Sequence, residues 1–164
     1  MLSTVLVENP WLIPVGLLVL LLAGPAAGAL LVPRPRLTAC LIFVAVLAVA
    51  VLTLTPTVRE MTRTCTIEWS WPVLGAVETA ANLILFVPIT LLAGVLTRRP
   101  WLTVLVASGA SALVEAGQAL APALGRSCST NDWWFNTLGA VLGALLALVA
   151  LALHRRRSRA GQSD

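Results

Sequence analysis

The sequence predicts an all-α bundle, a polytopic membrane protein of five transmembrane helices, and three observations carry that prediction. Hydrophobic residues make up 59% of the chain and charged residues only 11%, where soluble globular domains average about 25% charged. The mean hydropathy is +0.93. Apolar runs near 20 residues recur, which is about the length of helix that crosses the hydrocarbon core. The 164 residues leave no room for a second domain beside five spans, so 1–164 is read as a single domain.

The first span is 11–32. Trp11 sits at its edge, and Pro14 and Gly24-Pro25 inside it predict a kink. Ala27-Gly28-Ala29 has the small residues of a signal-peptide cleavage site, but residues 1–10 carry Glu8 and no Lys or Arg. The charged leader of a signal peptide is missing, and a retained span is the better reading. Pro33-Arg34-Pro35-Arg36 forms a rigid basic loop. The second span is 37–54, ending at Thr55-Pro56, and Cys40 inside it reads as a small packing residue. The longest loop, 57–78, sets Arg59 and Arg63 against Glu60, Glu68 and Glu78. Its Trp69 and Trp71 read as interface anchors.

The third span, 79–97, carries Asn82 one turn in and Pro88 near its middle. Arg98-Arg99-Pro100 is a tight basic turn into the fourth span, 101–124. A polar loop, 125–132, leads to the fifth span, 133–153, and a basic tail runs from His154 to Arg159 within 154–164.

All eleven basic residues are arginines, and most lie just beyond the ends of apolar runs. That placement excludes a nucleic-acid surface in favour of anchors beside anionic headgroups. In an alternating five-span path the Pro33–Arg36 loop, the Arg98–Pro100 turn and the C-terminal tail share one side. The positive-inside rule makes that side the cytoplasm. It puts the N-terminus, the 57–78 loop and the 125–132 loop outside, with the chain in a cytoplasmic (plasma) membrane.

The candidate site lies in the outer half of the bundle. Ser108, Ser111, Glu115 and Gln118 step by three, four and three, so they form one polar stripe on the fourth span. Asn82 and Asn136 each lie about one turn below the outer ends of their spans, with Arg126 and Asp132 on the loop above. A charged carboxylate near a helix centre costs ~2.5–3.5 kcal/mol on insertion scales, so Glu115 must be paired, hydrogen-bonded, protonated or wetted. Arg126 is the cationic partner expected from the loop above. The bland reading is a polar staple, in which these side chains bond across helices and hold the bundle. Gly139, Gly143 and Ala147, four apart, form a small-residue face for close helix packing.

Other chemistries find little support. The sequence has one His, in the tail, and neither a Cys-x-x-Cys pair nor a phosphate-binding loop, so no metal or cofactor is expected. Cys65 and Cys128 fall on the two loops assigned to the oxidising side, which predicts a disulfide tying the long loop over the polar one.

The chain resembles the VanZ-like family of bacterial membrane proteins. The matching residues are Thr53-Leu-Thr-Pro56, Asn82-Leu-Ile-Leu-Phe86-Val-Pro88, Ser111-Ala-Leu-Val-Glu115-Ala-Gly-Gln118, Arg126 to Asp132, and Asn136-Thr-Leu-Gly139-Ala-Val-Leu-Gly143. Together they cover about 53–143 and leave the first span outside. The resemblance implies an integral protein of the cell envelope, in a family some of whose members are linked to glycopeptide (teicoplanin-type) antibiotic resistance. It implies no reaction. The expectation is therefore a non-enzymatic protein whose polar pocket binds a lipid headgroup or a lipid-linked cell-wall precursor, with membrane lipids as its other partners. One alternative is a membrane enzyme on a lipid-linked substrate with Glu115 and Asp132 as acid and base. Another is a small carrier using Glu115, which the apolar residues below Ser108 disfavour.

Overall fold

The computed structural model describes residues 8–56, 65–71, 77–121, 125 and 128–161. It contains helices α1 (Leu12–Leu31), α2 (Pro35–Leu54), α3 (Val77–Thr97), α4 (Pro100–Leu120) and α5 (Thr130–Ala160). All five contain segments long and apolar enough to cross a membrane, and the chain is an all-helical, multi-pass membrane protein.

Helix ends follow local chemistry more closely than hydropathy does. α2 opens at Pro35, not at 37, so the basic loop is shorter than expected. Proline suits a first helical position because its φ is already helical and its missing N–H would have gone unbonded. Pro100 opens α4 in the same way. The α4 helix ends at Leu120, and 122–124 lie outside the described residues. Ser129 starts α5 ahead of 133, because its hydroxyl accepts the Asn131 N–H at 3.1 Å and caps the helix. The same helix runs past 153 to Ala160, since Arg and Ala favour helix and no breaker intervenes before Gly161. Its 31 residues at ~1.5 Å each exceed the ~30 Å hydrocarbon core, so its basic end projects beyond the apolar layer.

The α5 helix is the centre of the bundle. Its most extensive interface is with α3, and it also packs on α4 and α1. Ala140, Ala144, Ala147 and Ala150 on α5 are fully buried. At Gly139 a methyl group would collide with the Leu83 carbonyl of α3, and at Gly143 with the Thr90 hydroxyl and the Val87 carbonyl. The two backbones therefore approach closely, which is how helices gain dispersion contacts where lipid removes the usual hydrophobic drive. Val87, Leu91 and Val95 of α3 pack with Leu146, Ala147 and Ala150 of α5 toward one end. Phe86, Ala107 and Ala140, with Val49 of α2, form a second apolar layer nearer the other.

The α2 helix is peripheral and packs chiefly on α3. Phe43, Val44, Leu47 and Val51 face outward, as a lipid-facing helix requires. Cys40 is exposed on this helix, on the same face as exposed Val44 and Leu47, which corrects its reading as a packing residue. Thr38 is buried at the α1–α2 turn and donates to the carbonyls of Leu31 and Arg34, at 3.1 and 3.0 Å. After α3, Arg98 takes a left-handed backbone conformation (φ 56°), which costs a side-chain-bearing residue ~1–2 kcal/mol.

Candidate functional site

The polar groups gather where α5 begins. Asp132 and Asn136 are four apart and share the face of α5 that meets α3. Asn82 of α3 donates from Nδ2 to Asp132 Oδ1 at 2.6 Å. One turn deeper, Asn136 Nδ2 donates to Ser111 Oγ of α4 at 2.9 Å. Ser111 and Asn136 are almost wholly enclosed, at 1% and 5% exposure. Asn136 Oδ1 is also buried and, among the described residues, has no hydrogen-bond partner.

The rest of the α4 stripe turns inward too. Glu115 and Gln118 are buried. Glu115 Oε2 accepts the backbone N–H of Ser129 at 2.9 Å, at the very start of α5. Gln118 reaches sideways, donating to the Thr53 carbonyl at the end of α2 at 2.9 Å. Ser108 and Thr137 hydroxyls lie 2.9 Å apart, and the Trp133 indole N–H donates to Ser108. The Arg126 that charge alone nominated as the partner of Glu115 lies outside the described residues. Among the described residues, the contact found for Glu115 is the Ser129 backbone amide.

A strap, 65–71, crosses this end of α5. Cys65 and Cys128 are joined by a disulfide, with their Cα atoms 4.6 Å apart. Thr66 forms a parallel bridge with Ser129: its N–H donates to the Cys128 carbonyl at 3.0 Å, and the Thr130 N–H donates to its carbonyl at 3.1 Å. The Glu68 N–H donates to Thr130 Oγ1 at 2.9 Å, and Ser70 donates through both N–H and hydroxyl to Asn131 Oδ1. Trp69 sets its edge against Trp133 and Trp134, with ring centroids 6.2 and 6.0 Å away. Trp69 and Trp71 are otherwise exposed, as belt residues at a membrane surface are.

Sequence reading did not single out Thr137, Trp133, the backbone amide of Ser129 or the carbonyl of Thr53 as site components. Thr137 had a legible signal, since it lies four beyond Trp133 on one face. The Ser129 amide and the Thr53 carbonyl had none, because backbone groups leave no mark in side-chain patterns. Among the described residues no cluster of His, Cys, Asp or Glu could hold a metal ion.

These elements fall within one segment that known proteins share. The VanZ/LLP1 family matches residues 41–151, from within α2 through the apolar part of α5. The chain belongs to the VanZ/LLP1 family. The matched region takes in the whole polar cluster, the disulfide and the Gly139–Gly143 face, and leaves out α1 and the basic end of α5. The chain has no significant match among curated proteins or solved structures.

Proposed function

We propose that this VanZ-like protein is a non-enzymatic component of the bacterial cell envelope that holds a polar headgroup at the α3–α5 corner, beneath the disulfide-tied strap. The carrying observation is Asn136 Oδ1, a buried acceptor without a donor among the described residues. Leaving a buried polar group unbonded costs ~1–3 kcal/mol, which an incoming hydroxyl or N–H would recover. The ligand class is therefore a lipid, or a lipid-linked cell-wall precursor, whose headgroup carries hydrogen-bond donors. The Asn82–Asp132 bond closes the corner one turn above, so entry requires α3 to part from the start of α5. Arg126, four residues before the start of α5 in sequence, is of a type suited to a phosphate or carboxylate of that ligand.

The acid–base alternative loses support because Glu115 and Asp132 are each committed to a hydrogen bond that fixes the start of α5. The carrier alternative loses support because the way inward is apolar. Thr90 and Thr103 interrupt it, but their hydroxyls bond the Phe86 and Pro100 carbonyls of their own helices.

Native mass spectrometry of the purified protein tests the reading. The wild type should retain lipids with donor-bearing headgroups in preference to phosphatidylcholine, and Asn136→Leu should lose that preference. Identical adducts on both proteins would count against the site. Resistance is a separate question, settled by whether expression in a glycopeptide-susceptible host raises the inhibitory concentration of teicoplanin.

A further inference from the structure

At the opposite end of the bundle, the structure brings three segments together around a cavity of about 510 Å³. Its apolar floor is Val32, at the end of α1, and Leu151 of α5. Arg98, from the α3–α4 turn, and Arg155 and Arg159, from the α5 extension, also line it. Leu151, Arg155 and Arg159 step by four, so one stripe of α5 passes from buried and apolar to exposed and cationic. His154 and Ser158 complete the wall.

Three features separate this cavity from a diffuse basic fringe. Its volume lies within the ~300–1,000 Å³ of ordinary ligand pockets. Its arginines come from two segments distant in sequence. Arg98 also occupies a left-handed position that glycine would fill without strain, and that strained residue is one of those lining the cavity. Arg36, Arg156 and Arg157, by contrast, do not line it.

We propose that this cavity is a binding site for a phosphate group, clasped by Arg98, Arg155 and Arg159, with Val32 and Leu151 placed to receive the apolar part of a phospholipid. Planar guanidinium groups suit phosphate oxygens because they offer paired donors. The shared chemistry is the phosphate, whether it arrives on an anionic lipid or free in solution. Most of the wall lies outside the region matched to the VanZ/LLP1 family, so the site is separate from the polar corner at the other end.

The test compares full-length wild type with two charge-matched triple variants. One is Arg98→Gln with Arg155→Gln and Arg159→Gln; the control is Arg36→Gln with Arg156→Gln and Arg157→Gln. All six side chains are exposed, so neither triple threatens the core. One arm measures retention of phosphatidylglycerol in detergent by native mass spectrometry, and the other measures binding of inorganic phosphate. In whichever arm the wild type binds, the cavity triple should bind about a hundredfold more weakly, since it loses the three guanidinium groups proposed to bond the phosphate directly. The control triple should stay near wild type. The arm that responds identifies the source of the phosphate. Equal loss in both triples, or no binding by the wild type in either arm, overturns the site. Arg98→Gly supplies an independent check: it should unfold at a higher temperature than wild type yet bind more weakly, and unchanged binding would remove Arg98 from the site.

Discussion

Glu115 of α4 accepts the backbone N–H of Ser129, the N-cap residue of α5, at 2.9 Å. In a capping box, the acidic residue three positions into the helix returns to that amide. Here the residue three positions in is Asp132, and it bonds Asn82 of α3 at 2.6 Å instead. A carboxylate from another helix has taken over the capping task, and the local one is used to reach across the bundle. The start of α5 is thereby fixed to α4 and α3 at once. Both acids also lie at the positive end of the α5 dipole, where negative charge is favoured.

Replacing Glu115 should expose this division of labour. Glu115→Gln keeps an acceptor for the Ser129 N–H and should change stability little. Glu115→Leu strands a backbone donor and should cost about 1–3 kcal/mol. Thermal unfolding in one detergent compares the two, and equal midpoints for Gln and Leu would show that the bond carries no stability.

The strap offers a second test. Cys65 and Cys128 are 63 residues apart, and closing a loop of that length stabilises a folded chain by roughly 4 kcal/mol in the chain-entropy model. Spans that stay in the bilayer already restrict the unfolded chain, so this figure is a ceiling. Reduction should lower the unfolding midpoint and speed amide exchange at Thr66 and Ser70, while α3 and α5 keep their protection. Exchange that does not respond to reductant would mean that the Thr130, Asn131 and Trp133 contacts hold the strap without the disulfide.

Glycines divide sharply by position. Gly139→Ala would drive a methyl group into the Leu83 carbonyl, and Gly143→Ala into Thr90 and Val87, so each should cost about 3 kcal/mol or more by forcing α3 and α5 apart. Gly109 and Gly117 of α4 have nothing within 4 Å of an added Cβ. Their alanine variants should be neutral or stabilising by up to ~1 kcal/mol, because alanine is the better helix former. Midpoints from the four single variants check the split, and a uniform response across them would defeat it.

The five helices were legible because lipid as solvent tolerates only apolar runs of spanning length, and each run is broken by Pro, Gly or Arg. The α4 stripe was legible because Ser111, Glu115 and Gln118 repeat at helical spacing, and all three are buried. Their partners were not. Glu115 takes a main-chain amide and Gln118 a main-chain carbonyl on a helix far away in sequence; the Arg126 that charge pairing nominated for Glu115 lies outside the described residues. The length of α5 was hidden for a related reason: hydropathy marks where the membrane ends, and a helix of Arg and Ala continues through that boundary.

Orientation is the prediction with the most independent support. The disulfide and the Trp-bearing strap lie at the end where α3 and α5 begin. The basic cavity lies at the end where α1, α3 and α5 finish. Disulfides persist on the oxidising face of a plasma membrane, and arginines accumulate on the cytoplasmic face. The two rules rest on different chemistry, and they assign the two ends of the bundle consistently: strap outside, basic end and C-terminus inside. Single cysteines in a Cys40→Ala background test this, since that change removes the one free thiol found among the described residues. In intact cells a membrane-impermeant maleimide should label Trp71→Cys, whose parent residue is 87% exposed on the strap. It should reach Ser163→Cys, in the tail, only after the cells are permeabilised. The opposite pattern would invert the protein, and would place the proposed headgroup corner in the cytoplasmic leaflet and the phosphate cavity in the outer one.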